Sequence, residues 1–362
     1  MTSRSVTRRQ AMAGFGSLVA SSPLLAGQEL IGEPPGRFTP RDELVNVFEV
    51  EAMAQRKLDG LTYAAIAGGD RAAFERITFR PRMMVDATKL DLTAELFGEQ
   101  MFAPVLVGPA SNQKRLHPAG ELATVRGASA AKAVMVVSSR SSYPIDEIAA
   151  EAKTSLWYQA DPEPDMTAVG SRAQQAVKAG CKAVCITVGA PYRPAGSGGA
   201  PHPSRLAAMA NPRMDWAVID QLRRGITVPF LLKGVMSPEE ARTAVDRGVE
   251  GIVVSNHGGR FASGLAEPME MLPSIVDAVG GKAPVLIDGS FRRGTDILKA
   301  LALGARAVMV ARPPLWGLAA YGADGVQSVL EMLQSELARS MALTGKPNLK
   351  ALDRSVVKIH RR

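Results

Sequence analysis

The 362-residue chain reads as an α/β protein, a (β/α)8 TIM barrel with an N-terminal helical extension. Three observations carry that reading. Eight short apolar runs rich in β-branched residues recur from residue 103 onward, helical patterns lie between them, and polar residues collect where the runs end. Continuous apolar runs suit parallel strands buried on both faces. Eight such strands alternating with helices favour a closed barrel over a doubly wound sheet, which more often stops at five or six.

The runs, in order, are "APVLVGP" (103–109), "AVMVVSS" (133–139), "SLWYQAD" (155–161), "AVCITVG" (183–189), "PFLLKGV" (229–235), "GIVVSNH" (251–257), "PVLIDGS" (284–290) and "AVMVARP" (307–313). The helical segments are punctuated. "SPEEARTAVDRG" opens with Ser237 as N-cap and Pro238 in the first turn, has Glu240 to complete a capping box, and ends at Gly248. "PIDEIAAEAK" and "GTDILKALALG" follow the same logic. Ahead of the barrel, residues 41–69 read as helical and 80–100 as irregular, closing its bottom or side. The Pro-, Gly- and Ala-rich connection after the fourth strand, "APYRPAGSGGAPHPSRLAAMANPRMDW", reads as a loop or lid over the active face. The predicted organisation is a signal segment, 1–27, and one barrel domain, 28–362, of which 28–102 is the extension.

Composition is globular: 46% of residues are hydrophobic and 22% charged. The net charge of +8 raises nucleic acid as a partner, but Lys and Arg are scattered without a basic, aromatic-interleaved stripe, so nucleic acid is excluded. Part of that charge, Arg4, Arg8 and Arg9, lies in "MTSRSVTRRQAMAGFGSLVASSPLLAGQ", which has the basic start and apolar stretch of a secretory signal. Arg8-Arg9 ahead of a mildly apolar stretch resembles a twin-arginine signal, predicting periplasmic export, with a cytoplasmic protein as the alternative. Cys181 and Cys185 are spaced for neither a zinc knuckle nor a redox pair and read as buried free thiols; no metal set is predicted.

The strand ends carry the chemistry. They present Pro109-Ala110-Ser111, Ser138 and Arg140, Gln159 and Asp161, Thr187, Lys233, then Ser255, Asn256, His257 and Arg260, then Asp288-Gly289-Ser290, and Ala311-Arg312. Barrel enzymes keep their active sites at this end, and eight polar strand ends in register argue for a site. The loops after strands seven and eight, "DGSFRRGTD" and "ARP", are where barrels bind phosphate, with Arg292 and Arg312 as charged contacts.

"LLKGV", "IVVSNHGGR", "DGSFRRGTDILKALALGARAVMVARP" and "RLHPAGELATVRGASAA" resemble the FMN-dependent 2-hydroxy acid oxidases and dehydrogenases, the glycolate oxidase and lactate dehydrogenase group. The resemblance runs from about Val45 to the C-terminal helix. It implies FMN as cofactor and a small 2-hydroxy acid as substrate. His257 then takes the substrate's hydroxyl or α-proton, Arg260 grips its carboxylate, and Lys233 stands beside the flavin where negative charge develops. Ser138, Gln159 and Thr187 hydrogen-bond the ring, Pro109, Ala110 and Ser111 pack its other face, and Arg292 and Arg312 hold the phosphate; Ser255, Asp288, Gly289, Ser290 and Ala311 complete the cofactor set.

The substrate half departs from the family. One family tyrosine falls at Ala65, with Tyr63 matching another position, and a second is Asp161. The aspartate that orients the histidine is Gly189, and a tryptophan is Arg140. The second carboxylate-binding arginine has no counterpart unless Arg193 fills in; Arg140, held by Asp161, is the expected replacement, with a purely structural Arg140–Asp161 salt bridge as the alternative. The open functional alternatives are a same-fold flavoenzyme acting on an amine or modified peptide, and a non-catalytic FMN-binding protein. The expected electron acceptor is a quinone, a cytochrome or O2, and the expected assembly is a homo-oligomer, with a tetramer as one option.

Overall fold

The structure, a computed structural model, describes residues 37–82, 84–189, 214–259 and 266–360. The expected signal segment, 1–27, Arg193 and the expected carboxylate anchor Arg260 lie outside the described residues. The chain divides after Pro40, and residues 41–362 form one compact unit.

That unit is the expected barrel. Strands β4 (Val105–Val107), β5 (Met135–Ser138), β6 (Leu156–Ala160), β7 (Val184–Thr187), β8 (Phe230–Val235), β9 (Gly251–Val254), β10 (Val285–Asp288) and β11 (Ala307–Val310) pair in chain order and close, β11 onto β4. Every pair is parallel, including the closing register Val308↔Val105. The helices along the barrel are α4 (Gly120–Ala130), α5 (Ile145–Glu151), α6 (Met166–Lys178), α7 (Trp216–Arg224), α8 (Pro238–Asp246), α9 (Pro268–Val279), α10 (Gly294–Ala302) and α11 (Arg312–Leu343). α11 breaks at Gly322, whose φ of 65° and ψ of −141° are non-helical.

The strands split their side chains by the period of two. Outward residues such as Val107, Val137, Ile186 and Val254 join the core shared with the helices. Inward residues Leu106, Val136, Trp157, Cys185, Leu231, Val253, Leu286 and Met309 form a separate apolar core inside the barrel. Two positions further along each strand the inward series continues with Gly108, Ser138, Gln159, Thr187, Lys233, Ser255, Asp288 and Ala311. A mainly polar layer therefore tops the apolar one at the C-terminal mouth.

The extension differs from expectation in detail. Residues 41–69, read as helical, hold a 3-10 turn and two helices, α1 (Val47–Lys57) and α2 (Gly60–Ala64); α3 (Ala72–Glu75) and β1 (Ile77–Phe79) follow. The stretch read as irregular contains an antiparallel hairpin, β2 (Ala94–Leu96) and β3 (Glu99–Met101). Its turn residue Phe97 lies 5.7 Å from the Trp157 ring and packs on the inner core, closing the barrel bottom. β1 pairs with the C-terminal strand β12 (Val357–Ile359).

Helix α8 corrects one local expectation. Ser237 Oγ accepts from Glu240 N at 3.2 Å, but it is Glu239, not Glu240, whose carboxylate accepts the Ser237 hydroxyl, at 2.7 Å, so the capping box is only half formed. Cys181 and Cys185 are buried free thiols, and burial pushes both up to about 12, far from reactive thiolate. Among the described residues no helix is long and apolar enough to cross a membrane.

Candidate active site

The mouth assembles from short strand ends, each contributing one or two groups. Lys233 has only about 7% of its surface exposed, which makes its pairing decisive. Its Nζ lies 2.7 Å from Asp288 Oδ2 and donates to Ser255 Oγ at 3.0 Å. Gly234, with φ 111°, makes the irregularity between Lys233 and Val235 that re-aims the end of β8. Asp288 Oδ1 is buried with no hydrogen-bond partner among the described residues, an acceptor oriented for a ligand donor.

His257 follows β9 and lies against these groups. Its φ of 56° is left-handed, and Gly258 and Gly259 continue that conformation at 78° and 72°, so the loop turns sharply through two residues that carry no Cβ. Strain of this kind in a non-glycine residue clusters at functional sites. His257 N donates to Ser255 Oγ at 3.2 Å, which anchors the turn to the layer holding Lys233. The imidazole packs on the bare face of Gly234, where an added Cβ would sit 2.6 Å from His257 Cε1. Burial, then the Lys233 charge, holds the His257 pKa below its ordinary value; Asp288, the Val188 backbone and Asp161 pull weakly the other way. The ring is thus neutral at neutral pH, as a proton acceptor must be. A Cβ at Gly189, where the resemblance puts the family's orienting aspartate, would lie 3.9 Å from His257 Nε2, so a carboxylate there would point at the ring.

Asn256 does not join this chemistry. Its side chain accepts from Gly259 N at 3.1 Å and donates to Glu267 at 3.2 Å, so it shapes the loop that carries His257.

A second row runs along β5 to β7. Gln159 Nε2 donates to Thr187 Oγ1 at 2.6 Å and to Asp161 Oδ1 at 2.7 Å, and Asp161 Oδ2 lies 3.1 Å from Arg140 Nε. The expected Arg140–Asp161 pair is formed, half-buried at the rim.

Arg292 and Arg312 meet at the other side, at the N-terminal ends of α10 and α11. Arg292 is buried, stacks on Trp316 with its guanidinium carbon 4.4 Å from the ring centroid, and donates to the carbonyls of Phe291 and Gly68. Arg312 donates to the carbonyls of Gly68 and Gly258. Among the described residues neither forms a salt bridge, whereas neighbouring Arg71 pairs with Asp296 at 2.7 Å. Burial first and Arg312 second push Arg292 down to about 10, and burial also lowers Arg312. Two close guanidinium groups that meet carbonyls and a ring face, with no carboxylate partner among the described residues, make an anion site. Gly69 keeps it open, because a Cβ there would lie 2.6 Å from Ser290 Oγ and 3.2 Å from Arg292 Nη2.

Pro109 and Ala110 are half-buried and Ser111 exposed at the end of β4. Below them lies a device that the sequence reading did not single out. The fully buried Glu121 accepts from the backbone N–H of Gln113 (3.1 Å) and Ser142 (2.9 Å), and Gln113 Nε2 donates to Ala110 O at 3.2 Å. Glu121 thus ties the loop after β4 to the loop carrying Arg140. A lone acid in the small-residue helix "GELATVRGASA" was the available signal.

The FMN-dependent dehydrogenase family profile matches residues 58–198 and 194–359. An L-lactate oxidase of Nostoc sp. is 38% identical, covering 86% of this chain and 97% of its own. A peroxisomal (S)-2-hydroxyacid oxidase of Arabidopsis thaliana is 36% identical over 88% of this chain and 97% of its own. Among solved structures, mandelate oxidase superposes with TM-score 0.79 at 35% identity, covering 87% of this chain and 98% of its own. A flavocytochrome b2 variant reaches 0.81 at 29%, covering 89% and 88%. With a closed parallel barrel, a polar mouth and a family match over most of its length, the chain belongs to the FMN-dependent dehydrogenases.

Proposed function

We propose that the protein oxidises a small 2-hydroxy acid to the 2-oxo acid with FMN as cofactor. The observation that carries this reading is His257, packed in a left-handed turn against Gly234 beside the Lys233–Asp288 pair, with its pKa lowered by burial. The donor set fits FMN. Arg292 and Arg312 would hold the phosphate, and the orphan Asp288 Oδ1 would accept from a ribityl hydroxyl. Ser138, Gln159, Thr187 and Lys233 would meet the ring's polar edge, with Ser255, Gly289, Ser290 and Ala311 around them and Pro109, Ala110 and Ser111 against its face. Bound FMN supplies the two-electron acceptor that the chain itself lacks.

The chain's own residues bind and deprotonate. His257 removes the proton from the substrate's hydroxyl or α-carbon, and its depressed pKa keeps it competent at neutral pH. Lys233 offers positive charge where negative charge develops. Arg260 anchors the carboxylate, and Arg140 supplies the second grip while Asp161 holds it in place. The test is anaerobic flavin reduction against a panel of 2-hydroxy acids, amines and amino acids. Reduction by hydroxy acids alone supports the reading, and reduction only by amines replaces it.

The reading extends to the cell and the acceptor. Arg8-Arg9 direct twin-arginine export to the periplasm, a route that carries cargo already folded around its cofactor. Electrons then pass to a quinone or cytochrome in preference to O2, and the enzyme acts as a homo-oligomer. The double change Arg8→Lys and Arg9→Lys should strand the precursor inside the cell; undiminished export would remove the twin-arginine route.

A further inference from the structure

The row Arg140, Asp161, Gln159, Thr187 has a consequence beyond holding Arg140 in place. A carboxylate only accepts hydrogen bonds, so the Gln159 atom 2.7 Å from Asp161 Oδ1 must be the amide nitrogen. That settles which way the amide faces, a choice that ordinarily rests on the surrounding hydrogen bonds. Both amide hydrogens are then used, one on Asp161 and one on Thr187 Oγ1 at 2.6 Å. Thr187 Oγ1 has received a hydrogen, so its own hydrogen is left to donate elsewhere. Gln159 Oε1 is left as an acceptor, and no hydrogen bond among the described residues reaches it. Gln159 and Thr187 stand on adjacent strands, β6 and β7, in the inward layer at the mouth.

We propose that Asp161 is a positioning residue that fixes the mouth as an acceptor beside a donor, Gln159 Oε1 and the Thr187 hydroxyl. This pattern complements an imide edge, where an N–H stands next to a carbonyl, as on the pyrimidine ring of a flavin. The inference rests on the reading above that β6 and β7 face the cofactor ring. Asp161 acts through Gln159 and does not itself touch the ring. Its second oxygen engages Arg140, which leaves the first to accept from Gln159. A residue unable to accept at position 161 frees the amide to turn over. A turned amide sets its nitrogen against the imide N–H, and the pattern is lost.

The experiment titrates FMN into flavin-free wild-type protein, Asp161→Leu and Gln159→Leu, following flavin fluorescence and the visible absorption and C=O vibrational bands of the bound oxidised flavin. None of these readouts depends on turnover. The inference expects Asp161→Leu to weaken FMN by roughly tenfold, as for loss of one good hydrogen bond, and to displace the carbonyl band. Arg140→Met, which leaves the Asp161 acceptor in place, should stay near wild type in FMN affinity. A lowered melting temperature in Asp161→Leu with unchanged FMN affinity and bands would overturn the inference and leave Asp161 as scaffold. If Gln159→Leu also shows wild-type affinity and bands while wild type binds FMN, the ring does not meet β6, and the reading beneath the inference fails with it.

Discussion

His257 shows how much a single residue's surroundings decide. Its pKa is lowered mainly by burial and secondly by Lys233, so the folded state resists the proton that the unfolded chain would accept. The neutral base therefore persists below histidine's ordinary value of 6.5. The acid limb of kcat/KM should fall below that pH, and the stability linked to this group is likewise present above 6.5 and lost as pH falls beneath it. A limb above 6.5 that disappears in a His257 variant would contradict the burial account. At Arg140 the expected ion pair is present, but a pair alone does not separate clamp from scaffold. Arg140→Met should reduce kcat/KM roughly tenfold or more, from about 1.4–3 kcal/mol of lost interaction, with FMN affinity unchanged. A loss of thermal stability with catalysis intact would assign it to the scaffold. Arg260→Lys should chiefly raise KM, since an ammonium cannot reproduce the guanidinium fork; an unchanged KM would place the carboxylate elsewhere. The placement of His257 and Arg140 at the mouth was legible because the sequence sets them at strand ends. Glu121 was not, because its one signal, a lone acid among small residues, does not say that two backbone N–H groups from other loops will converge on it.

At the scale of elements, the site is the next turn of the pleat. Val136 leads to Ser138, Trp157 to Gln159, Cys185 to Thr187, Leu231 to Lys233, Val253 to Ser255 and Leu286 to Asp288, each pair sharing the inward face. Strands were readable because runs buried on both faces are continuous and apolar. The hairpin Ala94–Met101 was not, since three-residue strands reading AEL and EQM carry too little alternation, and only tertiary packing of Phe97 beneath Trp157 gives them a reason to pair. The break in α11 was equally hidden, because Gly322 sits within a sequence that is helical on either side. Two element-level outcomes follow. Gly234→Ala places a Cβ against the Val188 carbonyl and the His257 ring at a φ of 111°, so substrate reduction of the flavin should collapse while the barrel stays folded. Normal turnover in that variant would separate the β8 irregularity from catalysis. Glu121→Ala strands two backbone donors at about 1–3 kcal/mol each, so the melting temperature should drop by several degrees. No change in melting would mean that water or a loop shift replaces the carboxylate.

For the whole molecule, the account joins a closed barrel to a ligand that its mouth is built to hold. Arg292 and Arg312 are held by backbone carbonyls, with no carboxylate partner among the described residues, so occupancy by a phosphate should stabilise the entire cooperative unit. At FMN a hundredfold above its Kd the gain is about 2.7 kcal/mol, readable as a higher melting temperature. Replacing Arg292 by Met should remove most of that gain. The measurement that bears most directly on the central claim is anaerobic mixing of the FMN-loaded protein with 2-hydroxy acids, followed by flavin absorbance in wild type and His257→Ala. The account predicts bleaching of the oxidised flavin in wild type with stoichiometric 2-oxo acid, and a His257→Ala protein that retains FMN but is not reduced. A wild-type flavin left oxidised by every hydroxy acid, or a His257→Ala protein reduced at the wild-type rate, would contradict it.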